Sequence, residues 1–262
     1  MWETVPVKES RLLVLFDLDG TLVDPAGAIT GGISAALASC GLPVPPAADL
    51  QRMVGPALVT SLRDIAGVPA DRVDEVIAIY RAGYRSAGMA QSRPYPGIAD
   101  TVARLRAEGC LVAVATQKPE PLAMELLTTQ GLLVLFDSVH GSPADEQAAA
   151  ALDGKTTIIA AALARHAGSF DRAVMVGDRR HDVHGAAANG LDCIGVDWGF
   201  AAAGELEAAG AVAVVGTAED LLAELRSLTE PHSLTEPHSL TKPHSGQHGF
   251  RAQEGACANG SL

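Results

Sequence analysis

A five-residue apolar run, Leu12 to Phe16, ends directly on Asp17, with Asp19 two residues on and Gly20-Thr21 behind it. The stretch from Arg11 to Asp24 reads RLLVLFDLDGTLVD. A short apolar run closed by a turn signal is a buried strand feeding a loop. Two carboxylates at the exit of such a strand lie close together, repel, and lack a full water shell. That arrangement is costly until a cation or a proton offsets it. A chain that carries this feature must fold so that compensating groups reach the same strand end.

The order of elements shows how. After the first strand, residues 25–93 change character. Ile29, Ile33 and Leu37 recur at helical spacing, and Gly41-Leu42-Pro43 stops that helix. Leu50, Met53, Leu58, Leu62 and Ile65 predict two short helices broken at Gly55-Pro56, and Val73, Val76, Ile77, Tyr80 and Tyr84 predict another. This span reads as a helical insertion without strands. Beyond Tyr95-Pro96-Gly97, strands at Leu111–Ala115, Ser138–His140, Ala173–Val176, Cys193–Val196 and Ala211–Val215 alternate with helices. Such alternation predicts an α/β fold, a doubly wound, mostly parallel sheet whose ligands bind beyond the carboxyl ends of the strands. Asp17, Thr116 and Asp178 each follow a predicted strand directly.

Composition narrows the function classes. The 262 residues are 48% apolar, enough for a substantial core, and carry a net charge of −12. That charge argues against a nucleic-acid surface and an anionic membrane, but not against a small anionic substrate at a locally positive site. Cys40, Cys110, Cys193 and Cys257 form no metal-binding spacing and read as free thiols. No apolar run approaches the roughly 18 residues of a membrane span, and the N-terminal run is too short for a signal peptide. The expectation is a soluble cytoplasmic protein.

Taken together, Asp17, Asp19, Thr116, Lys155, Asp178 and Asp182 place four carboxylates, a hydroxyl and an ammonium around one cleft. Carboxylates this dense call for a hard cation, and Mg²⁺ on one or two carboxylates commonly carries a substrate phosphate as well. A phosphate in turn is met by a lysine and a hydroxyl. The constellation points to phosphoryl transfer by positioning and charge neutralisation. Asp17 is placed to attack phosphorus, and Asp19 to protonate the leaving oxygen and later take a proton from water.

FDLDGTLVD, VATQKP, the lysine of GKTTII and VGDRRHDVHGA, in this order, resemble the four motifs of the haloacid dehalogenase superfamily. The resemblance is greatest to its phosphoglycolate phosphatase-like members with an α-helical cap of the C1 type. It covers about residues 11–226, and includes GPAL, YRAGYRSAGM, YPGI and VDWGF. It implies a Rossmann-like catalytic core at 11–24 and 94–226, and a cap at 25–93. It further implies Asp17 as nucleophile and Mg²⁺ ligand, and Asp19 as acid/base that binds Mg²⁺ through its backbone carbonyl. Thr116, Lys155 and Gln117 would hold the phosphoryl oxygens. Asp178 would bind Mg²⁺, and Asp182 would hold a water on that ion. Gln117 stands where serine is frequent in this subgroup, and its longer amide would alter substrate fit. The aspartate two residues after the nucleophile resembles phosphatases and mutases, and the dehalogenase branch lacks it.

The implied activity is Mg²⁺-dependent hydrolysis of a small phosphomonoester: phosphoglycolate, a nucleoside 5′-monophosphate or a sugar phosphate. A sugar phosphomutase shares the paired aspartates, and a non-catalytic binding protein on the same fold is the reading from another class. The bland alternatives carry less once the motifs arrive in order. Asp178 and Asp182 alone would read as helix caps, and Thr116 as a turn residue. Arg179 and Arg180 are candidates to touch substrate or cap. His181 and His184 share a helix face but read as helix residues beside an acidic site, and Trp198 reads as packing. Arg52, Arg63, Arg81, Arg85 and Arg93 are candidates for a substrate anion, against the default of a solvated face. From residue 227, SLTEPH repeats with thin apolar content predict a disordered tail through 262, in which His232, His238, His244 and His248 are at most weak metal ligands.

Overall fold

The computed structural model describes residues 11–143 and 154–229. The leader at 1–10, the alanine-rich stretch before Lys155 and the repeats from residue 230 onward lie outside the described residues.

Six parallel strands form the main sheet. They are β1 (Leu12–Phe16), β4 (Leu111–Pro119), β5 (Ser138–Ser142), β6 (Arg172–Gly177), β7 (Asp192–Val196) and β8 (Ala213–Val215), in the order β5-β4-β1-β6-β7-β8. This is the doubly wound sheet that the alternation predicts. β1 is central and apolar throughout because both its faces are covered, and all five residues are buried. Its last residue, Phe16, pairs with Val114 of β4 and Val176 of β6. That register sets Asp17, Thr116 and Asp178 at one carboxyl edge, where the chain winds away in both directions.

β4 departs from expectation. It does not stop at Ala115 but continues to Pro119, so Thr116 and Gln117 lie within the strand. The extension pairs with β5 through a register shift between Ala115 and Pro119. A bulge there re-aims the polar side chains of Thr116-Gln117-Lys118, which on sequence read as a loop.

Between β1 and β4 the chain makes a helical excursion. It begins and ends at a two-stranded antiparallel ribbon, β2 (Val23–Asp24) with β3 (Arg93–Pro94), which ties the two crossings together. The helices are α1 (Ala28–Ser39), α2 (Ala47–Arg52), α3 (Leu58–Asp64), α4 (Val73–Gly83) and the short α5 (Met89–Gln91). Ile33, Ala36 and Leu37 of α1 and Val73, Val76, Ile77 and Tyr80 of α4 are buried at i, i+3 and i+4 spacing. α4 does not end cleanly. A π-helical turn, Tyr84–Gly88, joins it to α5. The insertion shares one apolar cluster with a face of the sheet that includes Phe16, and with Leu18 just beyond β1.

The remaining helices cover the sheet: α6 (Ile98–Ala107), α7 (Glu120–Thr129), α8 (Gly154–Arg165), α9 (Arg180–Ala188), α10 (Glu205–Ala209) and α11 (Ala218–Ser227). Ile158, Ile159 and Ala162 of α8 and Val183 and Ala186 of α9 pack on the second face. Cys40, Cys110 and Cys193 are free thiols. No helix among the described residues is long and apolar enough to cross a membrane.

Edge strand β5 is pinned by a small polar cluster. Ser138 Oγ lies 2.9 Å from His140 Nε2 and 2.7 Å from His166 Nε2. Burial lowers the pKa of both imidazoles below the ordinary 6.5. In the window below 6.5 the unfolded chain therefore binds more protons than the folded one, and stability falls as pH falls. A His140→Asn/His166→Asn double variant is expected to lose less stability between about pH 7 and 5 than the parent, as urea unfolding at each pH measures.

Candidate active site

The carboxyl edge of β1 gathers the charged residues that the sequence singled out. Asp17, Asp19, Asp178 and Asp182 are all buried, as are Lys118 and Lys155. The backbone N–H of Asp17 donates to Val176 O at 2.9 Å, so the β1–β6 pairing itself fixes where this carboxylate emerges. Lys155, in the first turn of α8, reaches across to it. Its ammonium lies 2.7 Å from Asp17 Oδ1 and 2.6 Å from Asp182 Oδ1, and donates to Ala115 O at 2.7 Å.

Asp178 follows β6 and is fully buried. Its Oδ1 accepts from Thr21 Oγ1 at 3.2 Å, and its Oδ2 from the Phe200 N–H at 2.8 Å. Trp198 holds this neighbourhood, donating from Nε1 to Thr21 O at 3.2 Å and packing against Tyr95, which agrees with a packing role. Glycine is required at the point of closest approach. A Cβ on Gly20 would lie 2.2 Å from Asp178 Oδ2, and the backbone there has φ +93°. Asp182 does two jobs at once. Its Oδ2 caps α9 by accepting the Arg179 N–H at 3.0 Å, while Oδ1 pairs with Lys155. The capping alternative therefore applies to Asp182 even though its other oxygen faces the buried cluster.

One carboxylate oxygen from each of Asp17, Asp178 and Asp182 lies within 4.8 Å of the others. Four buried carboxylates face two buried ammonium groups, so the fully ionised set keeps a surplus of two negative charges. Burial raises the pKa of Asp178 well above an ordinary carboxyl's, with Asp17 and Asp182 adding to the rise. Burial likewise pushes Asp182 up to about 6, with Lys155 opposing. Compact all-oxygen donors with excess negative charge fit a hard divalent cation, which would relieve these shifts.

Asp19 stands apart from that trio. Its Oδ2 pairs with Lys118 at 3.0 Å, and its Oδ1 is buried without a hydrogen-bond partner among the described residues. Burial raises its pKa, partly offset by Lys118. Burial works against the charged forms of Lys118 and Lys155, yet their carboxylate partners prevail, and both stay protonated far above neutrality.

A cleft opens over this group. Asp17, Asp19, Thr116, Gln117 and Lys118 line one side, and residues of the insertion, including Met53, Leu58 and Tyr80, line the other. Thr116 Oγ1 accepts the Lys118 N–H at 3.2 Å. Gln117 lies against the start of α8, where a Cβ on Gly154 would be 3.2 Å from its Oε1. Of the arginines in the insertion, Arg81 lines the cleft, whereas Arg52 pairs with Asp49 and Arg85 with Glu125 at the surface. Arg179 is buried, pairs with Glu205 at 3.0 Å and donates to Val54 O in the insertion. Arg180 is half-exposed. His181 is partly buried, with its pKa pushed down to about 4 by burial and by Arg180 and Arg179, while His184 is exposed.

On sequence Lys118 stands out with Lys155 as one of two lysines at motif positions, but it receives no role in the site there. Its signal was present: it is one of only four lysines in the chain and sits in VATQKP, directly after Thr116 and Gln117. Tyr84 and the Phe200 N–H carried no comparable signal, because contacts set their roles.

Comparison with known proteins gives one consistent family. The model of the haloacid dehalogenase-like hydrolases matches residues 14–196. The chain is 40% identical over 192 residues to tyrosine-protein kinase PtkA of Mycobacterium tuberculosis, covering 73% of this chain and 64% of that protein, so it spans less than two thirds of that relative's length. It is 35% identical over 199 residues to a 5′-nucleotidase of Pseudomonas aeruginosa, covering 74% of this chain and 86% of that one. Among solved structures, a predicted phosphatase from Clostridium acetobutylicum superposes with a TM-score of 0.74 at 32% identity, over 83% of this chain and 99% of that chain.

Gly20→Ala is expected to destabilise the fold by about 1–3 kcal/mol, because it forces a positive-φ alanine onto Asp178. Gly31→Ala, at an open position in α1 where a Cβ meets nothing, is expected to stabilise by about 0.4–1 kcal/mol. Urea unfolding of both variants beside the parent checks the contrast.

Proposed function

The chain belongs to the haloacid dehalogenase-like hydrolases, and from that premise we propose that it is a Mg²⁺-dependent phosphatase of small phosphomonoesters that works through an aspartyl-phosphate on Asp17. The observation that carries this reading is the unequal treatment of two adjacent aspartates. Asp17 is held by Lys155 beside Asp178 and Asp182, whereas Asp19 keeps one buried oxygen without a partner among the described residues. This inequality supports reading the first as nucleophile and the second as proton donor.

Asp17, Asp178 and the Asp19 backbone carbonyl would hold the Mg²⁺. When bound, the ion supplies charge neutralisation for a phosphoryl group and for the carboxylates around it. Asp17 forms the new P–O bond. Asp19 gives its proton to the leaving oxygen as the old bond breaks, then takes one from the water that releases phosphate. Lys155 fixes Asp17 and shields its charge, and Thr116 and Gln117 are placed to meet phosphoryl oxygens. Residues 25–93 act as a lid that excludes bulk water. The ribbon β2–β3 is its hinge, and the Arg179–Val54 contact links lid to core. The candidate leaving groups are glycolate, a nucleoside or a sugar, and Arg81, which lines the cleft from the lid, would meet the carboxylate of glycolate.

The 40% identity to a protein named a tyrosine kinase favours a second reading, in which the phosphoryl group passes from a nucleotide to a tyrosine hydroxyl. One assay separates the two. Phosphate release from a panel of phosphomonoesters is expected to require Mg²⁺ and to fall on the order of 10³-fold or more in Asp17→Asn. Phosphotyrosine formation from ATP without hydrolysis of any panel member would favour the second reading. Release by Asp17→Asn at the parent rate would refute the proposed nucleophile.

A further inference from the structure

The two oxygens of Asp19 sit in different surroundings, and the difference traces to the insertion. Oδ2 is taken by the Lys118 ammonium at 3.0 Å, while Oδ1 has no hydrogen-bond partner among the described residues. Lys118 lies over the ring of Tyr84, 4.5 Å from its centroid, with Tyr84 Oη 3.5 Å away. A buried ammonium over an aromatic face is held by the ring as well as by its carboxylate. Tyr84 opens the π-helical turn that follows α4, and such turns recur at functional sites. Its ring fits because residue 88 is glycine: a Cβ there would lie 2.7 Å from Tyr84 Cδ2. Tyr80 stacks on the same ring at 5.8 Å, and Asp19, Tyr80 and Lys118 all line the cleft. A continuous line of contacts thus runs from the insertion to the second aspartate.

We propose that Lys118 and Tyr84 are positioning residues for the proton donor, holding Asp19 by Oδ2 so that Oδ1 is presented to the leaving-group oxygen. This rests on the reading of Asp19 as the acid. A carboxyl group turns easily about its last torsion, with two broad wells. A charge-assisted bond to one oxygen removes that freedom and decides which oxygen faces the substrate. In the first step Asp17 forms its bond to phosphorus, the bond from phosphorus to the leaving oxygen breaks, and the proton on Oδ1 passes to that oxygen. The carboxylate left behind is then balanced by the Lys118 ammonium. Because Tyr84 belongs to the insertion, the arrangement also makes the acid sensitive to where the insertion sits.

The dependence on leaving group tests this. An alkoxide needs the proton in order to depart, whereas p-nitrophenolate leaves without it. The quantity measured is the ratio of kcat/KM for an alkyl phosphate to that for p-nitrophenyl phosphate, both taken with Mg²⁺ on one preparation. The ratio does not depend on how much of a variant is folded, and kcat/KM reports the step in which the leaving group departs. Lys118→Met is expected to lower the ratio by about tenfold or more, out of the 10²–10⁴-fold that a general acid typically supplies. Tyr84→Leu is expected to lower it in the same direction by less, and Asp19→Asn to lower it most. An unchanged ratio in Lys118→Met or Tyr84→Leu, with Asp19→Asn still lowering it, overturns that residue's positioning role and leaves Asp19 as the acid. An unchanged ratio in Asp19→Asn refutes Asp19 as the donor, and this inference with it.

Discussion

The structure turns on one buried cation. Lys155 reaches from the first turn of α8 to contact Asp17 at the end of β1, Asp182 at the start of α9 and the backbone of β4. Elements far apart in sequence are joined at a point where carboxylates would otherwise repel in a medium of low polarity. Burying any one of these charges is expensive, and what makes the cluster tolerable is that each partner answers another. The same logic governs the glycines around Asp178. Side chains are excluded there so that backbone and carboxylate can approach closely. The site is a set of mutually dependent compensations rather than a group of residues placed one by one.

The compensation is incomplete, and that is where function enters. Two lysines do not balance four carboxylates; burial raises the pKa of Asp178 and Asp182, and the neighbouring Asp17 adds to both rises. On the proposed reading a divalent cation and a phosphate would complete such a site, one relieving the carboxylates and the other relieving the cation. The insertion adds the second half of the design. It shares an apolar cluster with the sheet, closes one side of the cleft, and touches both ends of the charged group through Arg179 and Lys118.

Much of this was legible in the sequence, and the limits are physical. An apolar run ending in DxDGT announces a buried strand and a paired-carboxylate site because few other contexts tolerate that pattern. Alternation of strands and helices was equally plain, and Lys155 stood out as the lysine of GKTTII. What could not be read was set by contacts or by small irregularities. The extension of β4 depends on a register shift against β5, which leaves no mark in the periodicity of Thr116-Gln117-Lys118. The π turn at Tyr84 looks like ordinary helix, and only the ring's place over Lys118 gives it meaning. Among the arginines of the insertion, charge alone did not separate Arg81 in the cleft from Arg52 and Arg85 on the surface.

The central claim is that Asp17 becomes covalently bonded to phosphorus during turnover. Borohydride reduces an acyl phosphate to the alcohol, so quenching the protein with borohydride during turnover and sequencing its peptides by mass spectrometry reads the claim directly. The account predicts conversion of residue 17 to homoserine only when Mg²⁺ and a hydrolysable phosphomonoester are both present. Steady phosphate release with residue 17 unmodified, or modification at another carboxylate, would contradict it.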